Sequence, residues 1–222
     1  MRYAISDIHG CANTFRHLVN EVIQLKSTDE LFLLGDYIDR GADSKGVIDF
    51  IQELQKSGIQ VRTLSGNHEA MMLDAREDPE YFNHWMLNGG KQTLASFGVK
   101  SIRDIPQSYW LFLLHLEYYI ELEDYLLVHA GFNFKAEDPF TDTHSMLWIR
   151  NFPVDKEFLG NRKIVHGHTP TPMQKIAQSV KSKAQVINID GGCVYTSRMS
   201  GLGYLTALNL DTLEFYSVPN QD

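Results

Sequence analysis

The chain has 222 residues, of which 43% are hydrophobic and 22% are charged, and this composition is ordinary for a globular protein. Its formal net charge is −8, from 20 Lys and Arg against 28 Asp and Glu. General nucleic-acid-binding proteins carry a basic face, so this balance argues against that class, although bound metal ions can make a cleft of an acidic protein attractive to anions. We expect one domain over residues 1–222.

The first third of the chain alternates strand and helix signals. Tyr3–Ile5 is predicted as a short strand, and residues 15–23 as a helix because their apolar side chains have helical spacing. Leu31–Leu34 is a continuous apolar run, typical of a strand buried on both faces. A second helix, which Ser44 can cap, and a third strand over Ile59–Leu64 complete a β-α-β-α-β order. This order predicts a parallel sheet with right-handed crossovers.

The remaining chain is helical at first and then β-rich. Residues 69–116 are predicted to be mainly helical and are rich in aromatic side chains. Beyond them, two strands flank a predicted hairpin turn at Glu123-Asp124. The predicted strands of this part are Tyr118–Leu122, Tyr125–Val128, Lys163–Val165, Gln185–Ile189, Gly203–Leu210 and Glu214–Val218. The pattern predicts an α/β fold of two sheets with flanking helices.

Cysteine usage and hydropathy bear on the compartment. Cys11 and Cys193 are too few for a disulfide framework and form no CxxC pair, so we expect two buried thiols. No segment approaches about 18 continuous apolar residues, and the first apolar stretch is too short for a signal peptide. We therefore expect a cytoplasmic protein with no membrane partner, with disorder confined to Pro219–Asp222.

Side chains that can bind metals directly follow five of the predicted strands. The segments are Asp7-Ile8-His9-Gly10, Gly35-Asp36-Tyr37-Ile38-Asp39-Arg40-Gly41, Gly66-Asn67-His68-Glu69, His129-Ala130-Gly131 and His166-Gly167-His168-Thr169. Each alone is weak evidence, because an aspartate can cap a turn and Asn67 can cap a helix. Together they indicate one site, since the carboxyl ends of parallel strands lie side by side. Carboxylate, amide and imidazole groups are ligands of divalent metals such as Mn²⁺, Fe²⁺ and Zn²⁺.

In order and spacing, these segments resemble the motifs of the phosphoprotein phosphatase family of binuclear metallophosphoesterases. The resemblance spans Asp7 to His168 and is strongest to the small bacterial and phage branch typified by the lambda phage protein phosphatase, which residues 83–90 and 147–150 also resemble. Ser6 stands where the family usually has glycine. The resemblance implies a calcineurin-like metallophosphoesterase fold, in which two mixed β-sheets pack as a sandwich flanked by helices.

The resemblance also implies a centre of two divalent metal ions, with manganese expected and iron or zinc as alternatives. The implied ligands are Asp7, His9 and Asp36 for one ion, and Asp36, Asn67, His129 and His168 for the other. Asp36 would bridge the two ions, and a hydroxide between them would attack phosphorus in line. His168 is preferred to His166 because the family has a Gly-His pair at this point.

Four further residues receive roles from the same resemblance. His68 is implied as the general acid that protonates the leaving oxygen, with Asp39 holding its other ring nitrogen. Arg40 and Arg150 are expected to bind the phosphate, because a guanidinium can bind two phosphate oxygens at once. The competing interpretations are a turn carboxylate for Asp39 and a surface arginine for Arg150. Asp190 is expected to be a turn residue.

The sequence therefore predicts a metal-dependent phosphomonoesterase. The preferred substrates are phosphorylated proteins, at serine or threonine and with tyrosine as a further candidate, or small phosphate esters. The alternative is a bis(5'-nucleosyl)-tetraphosphatase, a class that resembles this family but typically has alanine in place of Asp39 and aspartate in place of Glu69. A phosphate-binding protein without catalysis and a nuclease are less favoured, and no nucleic-acid partner is expected.

Overall fold

Nine strands form two mixed sheets in the part of the chain that the computed structural model describes, residues 1–195 and 200–222. The strands are β1 (Arg2–Ile5), β2 (Glu30–Leu33), β3 (Gln60–Thr63), β4 (Tyr119–Glu121), β5 (Tyr125–Val128), β6 (Lys163–His166), β7 (Val186–Asn188), β8 (Tyr204–Asn209) and β9 (Phe215–Pro219). The helices of the same residues are α1 (Ala12–His17), α2 (Ser44–Lys56), α3 (Asn67–Glu77), α4 (Pro79–Trp85), α5 (Lys91–Ser96), α6 (Gln107–Leu114), α7 (Thr143–Trp148), α8 (Lys156–Leu159) and α9 (Met173–Lys181).

The first sheet has the strand order β3-β2-β1-β8-β9, and the second has the order β4-β5-β6-β7. Strands β1, β2 and β3 pair in parallel, as do β5, β6 and β7, whereas β4, β8 and β9 pair antiparallel to their neighbours. The α/β fold with two mixed sheets and flanking helices is confirmed. The parallel pairing brings the ends of β1, β2 and β3 to one edge, and those of β5 and β6 likewise.

Successive side chains along β1 and β2 of the first sheet point to opposite faces and pack into two different hydrophobic clusters. Ala4 and Phe32 pack in one cluster with Leu127 of the second sheet. Ile5 and Leu33 point the other way, into a larger cluster with the helices. Because β1 and β2 are covered on both faces, their sequences are continuously apolar rather than alternating. The two sheets therefore pack as a sandwich with helices outside the first.

Several helix ends differ from the sequence-based expectation. The predicted helix over residues 15–23 is present as α1 followed by a π-helical turn over Leu18–Val22. Helix α2 is capped by Asp43 and not by Ser44, since the Asp43 carboxylate accepts the Gly46 N–H at 2.8 Å. Helices α7, α8 and α9 are not among the predicted elements.

The last residues of the chain are packed and not disordered as expected. Pro219 ends strand β9. The Asp222 carboxylate accepts hydrogen bonds from the backbone N–H groups of Asn13 and Thr14 at 2.9 and 3.1 Å and from the Thr14 hydroxyl at 2.6 Å. Helix α1 has no capping side chain at its own N-cap, Cys11. A side chain more than 200 positions away in sequence therefore caps the helix that follows the first motif.

Both cysteines are free and buried, as expected. Among the described residues, no helix is both long and apolar enough to cross a membrane.

Replacing Asp222 with alanine should lower the free energy of unfolding by about 1 kcal/mol, because two N–H groups of the first turn of α1 lose their acceptor. Equilibrium urea unfolding measures this change. The matched control is Glu137→Ala, which removes an exposed carboxylate and should leave the midpoint unchanged. An unchanged midpoint in Asp222→Ala would show that this cap contributes nothing.

Candidate metal centre

The six predicted metal ligands meet at the carboxyl ends of the parallel strands. The members of this group are all buried and are Asp7, His9, Asp36, Asn67, His129 and His168. In two sets of three residues, the potential ligand atoms lie within 4.8 Å of one another: His9 with Asp36 and His68, and Asp36 with His129 and His168. Asp36 belongs to both sets, as a bridging carboxylate requires.

Many residues of the site have a backbone conformation in the left-handed region, with a positive φ angle. Nine non-glycine residues have a positive φ in the described part of the chain, and six of them carry predicted site roles. Those six are Asp7, His9, Asp36, Asp39, Arg40 and His168. Such conformations cost free energy and persist only where surrounding contacts fix them, and they cluster at functional sites. The loops therefore hold these side chains in an imposed geometry.

Asp36 lies between two imidazole rings. Its carboxylate oxygens are 3.4 Å from His9 Nε2 and 3.6 Å from His129 Nε2. The Nδ1 atom of each ring is 2.8 Å from a backbone carbonyl oxygen, of Ile38 for His9 and of Leu34 for His129. These carbonyls place the ring proton on Nδ1, so that each Nε2 directs a lone pair toward Asp36, as in histidines that bind metals.

Asn67 and His168 complete the other side of the site. The Asn67 side-chain oxygen is 3.1 Å from His129 Nε2 and 2.9 Å from His168 Nδ1. The ring of His166 lies apart, with Nδ1 3.2 Å from the carbonyl oxygen of Gly167 and the ring against Phe152. The structure therefore places His168, and not His166, among the other predicted ligands.

Asp7 is held by its neighbours in sequence and space. The Ser6 hydroxyl donates to the Asp7 carboxylate, and the His168 backbone N–H donates to both of its oxygens at 3.1 Å. A Cβ at Gly167 would overlap the Ser6 hydroxyl and the Asp7 carboxylate, so only glycine fits there. Serine at position 6 thus supplies a hydrogen bond to a predicted ligand.

The electrostatics of the site favour bound cations. Burial raises the pKa of the Asp36 carboxyl well above its ordinary value, and the charges of Asp7 and Glu69 raise it further. Burial also lowers the pKa of His9, so this ring is neutral at neutral pH. Carboxylates that face lone pairs of neutral imidazoles, without enough donors between them, need positive charge nearby. The residues present therefore fit a centre of divalent metal ions.

Beside this group, His68 and Asp39 form a buried pair. His68 Nδ1 is 2.7 Å from the Asp39 carboxylate, which also accepts hydrogen bonds from the Thr93 hydroxyl at 2.6 Å and the Trp85 indole N–H at 3.0 Å. His68 Nε2 is buried and has no hydrogen-bond partner among the described residues. Burial lowers the pKa of His68 well below its ordinary value, and the charges of His9 and Arg40 lower it further.

The two predicted phosphate-binding arginines differ in burial. Arg40 is partly buried, with Nη1 2.6 Å from His9 Nε2 and its guanidinium 5.6 Å from the centre of the Tyr195 ring. Arg150 is exposed and follows α7. Burial lowers the pKa of His168 to about 3, and the charges of His129 and Arg150 contribute to this change.

Sequence reasoning assigned no structural role to several residues that support the site. Glu69 accepts backbone N–H groups of the loops after β2 and β3: Asp36 at 2.8 Å, Tyr37 at 2.8 Å, Gly66 at 2.9 Å and Ile38 at 3.3 Å. Trp85 lies in the stretch of residues 83–90 that carried part of the resemblance, whereas Thr93 had no signal. Asp190 accepts the Gly192 N–H at 2.8 Å, as expected of a turn residue.

Paired parallel strands that direct buried carboxylate, amide and imidazole groups to one edge define a metallophosphoesterase. The model of the calcineurin-like phosphoesterase family matches residues 3–201, and the chain belongs to this family. It is a hydrolase of phosphate esters, and its family uses a binuclear divalent metal centre.

Relatives of both substrate classes are found. Serine/threonine-protein phosphatase 1 of Salmonella typhimurium is 27% identical over 208 residues, 89% of each chain. A symmetrical bis(5'-nucleosyl)-tetraphosphatase of Nitrosospira multiformis is 33% identical over 136 residues, 58% of this chain and 42% of that protein. A candidate diadenosine tetraphosphatase of known structure has a TM-score of 0.66 at 21% identity, covering 100% of this chain and 94% of that one, and supports the fold alone.

If Asp36 bridges the ions, Asp36→Asn should lower bound manganese from about two ions per chain to about one or fewer, because the amide has no charge to share between them. Dialysis against manganese followed by metal analysis measures this. Asp49→Asn, which alters a carboxylate paired with Lys45, is the matched control and should keep both ions. Full metal content in Asp36→Asn would remove Asp36 from the bridging position.

Proposed function

We propose that the protein is a phosphomonoesterase of the serine/threonine protein phosphatase type, with phosphotyrosine as a further substrate and manganese as the preferred metal. The observation that carries this proposal is the pair formed by His68 and Asp39. Its outer nitrogen, His68 Nε2, is buried and unpartnered among the described residues, and therefore available to a substrate. A cytoplasmic location remains a prediction.

The leaving group explains why this pair favours a phosphoserine or phosphothreonine substrate. A serine or threonine alkoxide leaves poorly and needs a proton as its bond to phosphorus breaks. The leaving group of a dinucleoside tetraphosphate is a nucleotide, which is stable as an anion near neutral pH and needs far less help. A positioned acid therefore benefits the phosphoprotein substrate most, and here the Asp39 side chain accepts three hydrogen bonds that fix its orientation.

Each residue of the proposed site then has a defined task. Arg40 and Arg150 bind the non-bridging phosphate oxygens and orient the phosphorus. Asp39 accepts a hydrogen bond from the Nδ1–H of His68 and opposes the effect of burial by stabilising the charged ring, so that Nε2 can hold a proton and give it to the leaving oxygen. Two divalent ions at Asp7, His9, Asp36, Asn67, His129 and His168 would acidify the attacking water and offset the phosphoryl charge.

The relatives are compatible with both substrates and weigh toward the phosphatase. The serine/threonine phosphatase relative aligns over 89% of this chain, whereas the tetraphosphatase relative aligns over 58% and has a longer chain than this one. Nothing in the metal ligands separates the two activities, because the same ions can serve either phosphoryl group. The choice therefore rests on the pair formed by His68 and Asp39.

Replacing His68 with asparagine should lower kcat/KM on a phosphoserine peptide by a factor of about 10² to 10⁴, the usual contribution of a general acid. The loss on nitrophenyl phosphate should be much smaller, because nitrophenolate needs little protonation to leave. Steady-state kinetics on both substrates measures the difference. His115→Asn, an exposed histidine after α6, is the control and should change neither rate. Equal losses on the two substrates would remove His68 from the acid role.

Direct competition between substrates tests the proposed function as a whole. With manganese present, kcat/KM for a serine phosphopeptide should exceed that for diadenosine tetraphosphate by a factor of about 100 or more, which is roughly 3 kcal/mol of transition-state preference. Chelation should abolish both activities. A preference for the dinucleotide would move the enzyme to nucleotide hydrolysis with the same metal site.

A further inference from the structure

A pocket of about 610 Å³ opens next to Arg40. One wall is the π-helical turn over Met86–Gly90 and the start of α5, and the other includes Val194 and Tyr195. The metal ligands do not line it, so it is a separate compartment that shares Arg40 with the site.

The pocket is attached rigidly to the acid side of the site. At Gly89, where φ is +118°, a Cβ would lie 2.6 Å from the Arg40 backbone nitrogen and 2.9 Å from the Asp39 Cβ, so only glycine allows this approach. Four positions earlier, Trp85 donates to the Asp39 carboxylate that holds His68. A group in the pocket therefore sits on the side where the leaving oxygen would receive its proton.

The charge of the pocket is positive, although the chain as a whole is acidic. Arg40 and Lys91 are its charged lining residues in the described part of the chain, and none of the described lining residues is acidic. Some exposed cations have a carboxylate partner, as Lys45 has Asp49, whereas others, such as Lys135, have none within the described residues. No ion pair joins Lys91 to a carboxylate within residues 1–195 and 200–222.

Two further features of the pocket wall bear on the chemistry of its ligand. Lys91 is the exposed first residue of α5 and lines the pocket. Leu87 is 85% exposed, with the partly buried Met86 and Val194 on the same pocket. Cationic and apolar groups at one opening suit a ligand with a negative charge beside an apolar surface.

We propose that this pocket binds a second anionic group of the substrate, next to the phosphate under attack, and that Lys91 is the residue that selects for it. Under the proposed function, on which this inference rests for its substrate, the anion is the carboxylate of an acidic residue near the phosphoserine or phosphothreonine. The same chemistry could be met by a further phosphate of a nucleotide, and the test separates these two sources.

The test compares phosphoserine peptides that differ only by glutamate or glutamine one or two residues from the phosphoserine. With the manganese-loaded chain, kcat/KM should be about fivefold higher for the glutamate peptide, the effect of one exposed charge pair. Lys91→Gln should remove this preference and Lys91→Glu should reverse it. Added salt should also weaken the preference, because the pair is exposed.

Lys156→Glu is the matched control, because Lys156 is likewise exposed and the first residue of a short helix, α8. It should keep both the activity and the preference. Circular dichroism establishes whether each variant is folded. If Lys91→Glu is not folded, the loss of the glutamate preference in Lys91→Gln is the test. If both peptides are hydrolysed at equal rates by the wild type and the Lys91 variants, the inference is wrong while the proposed function stands.

A second possible result would contradict the proposed function and leave the pocket assignment to be tested with another substrate. If neither peptide is hydrolysed but diadenosine tetraphosphate is, the proposed function is wrong and the dinucleotide becomes the probe of the pocket. A drop of about fivefold for the dinucleotide in Lys91→Glu, measured relative to nitrophenyl phosphate, would identify phosphate as the second anion. Equal changes on these two substrates would overturn the pocket assignment.

Discussion

The carboxylate of Glu69 is the contact on which the geometry of the site depends. It is fully buried and binds backbone N–H groups of Asp36, Tyr37, Ile38 and Gly66. Burial raises the pKa of this carboxyl, and the amide hydrogen bonds oppose that change. Hydrogen bonds to a charged group contribute about 1.5–3 kcal/mol each, so four of them stabilise the burial of the charge. One side chain thereby joins the loop after β2 to the first turn of α3.

This junction fixes loops that the chain would not adopt alone. Asp36 has a left-handed backbone, and a Cβ on Gly66 would collide with its carboxylate and backbone nitrogen. The backbone at Asp39 and Arg40 is left-handed as well. Left-handed residues of this type cost on the order of 1–3 kcal/mol each, which the surrounding contacts must offset. The contacts of Glu69 are among those that hold these loops in place.

The sequence alone was sufficient to predict the strands and the site residues that follow from local patterns along the chain. Apolar runs identified the buried strands, and strand-end carboxylates and imidazoles identified the residues that the structure brings together, since parallel pairing makes strand ends converge. The supporting contacts were not predictable in this way. Asp222 caps α1, and Trp85 and Thr93 bind Asp39, across 46 positions or more. Such partners follow no period along the chain and are visible only once the fold brings them together.

Two parts of the chain contribute to the site: the strand ends carry the predicted metal ligands, and a helical stretch contacts Asp39. All six predicted metal ligands follow strand ends, five in loops and Asn67 as the first residue of α3, whereas residues 79–96, over α4 and α5, contain none of them. That helical stretch instead supplies Trp85 and Thr93 to Asp39 and the wall of the pocket. Under the proposed function, substitutions within it would change which esters are cleaved and leave the predicted metal ligands unaltered. Under the same proposal, a change of leaving group would require changes in this one helical stretch and none at the strand ends that carry the predicted metal ligands.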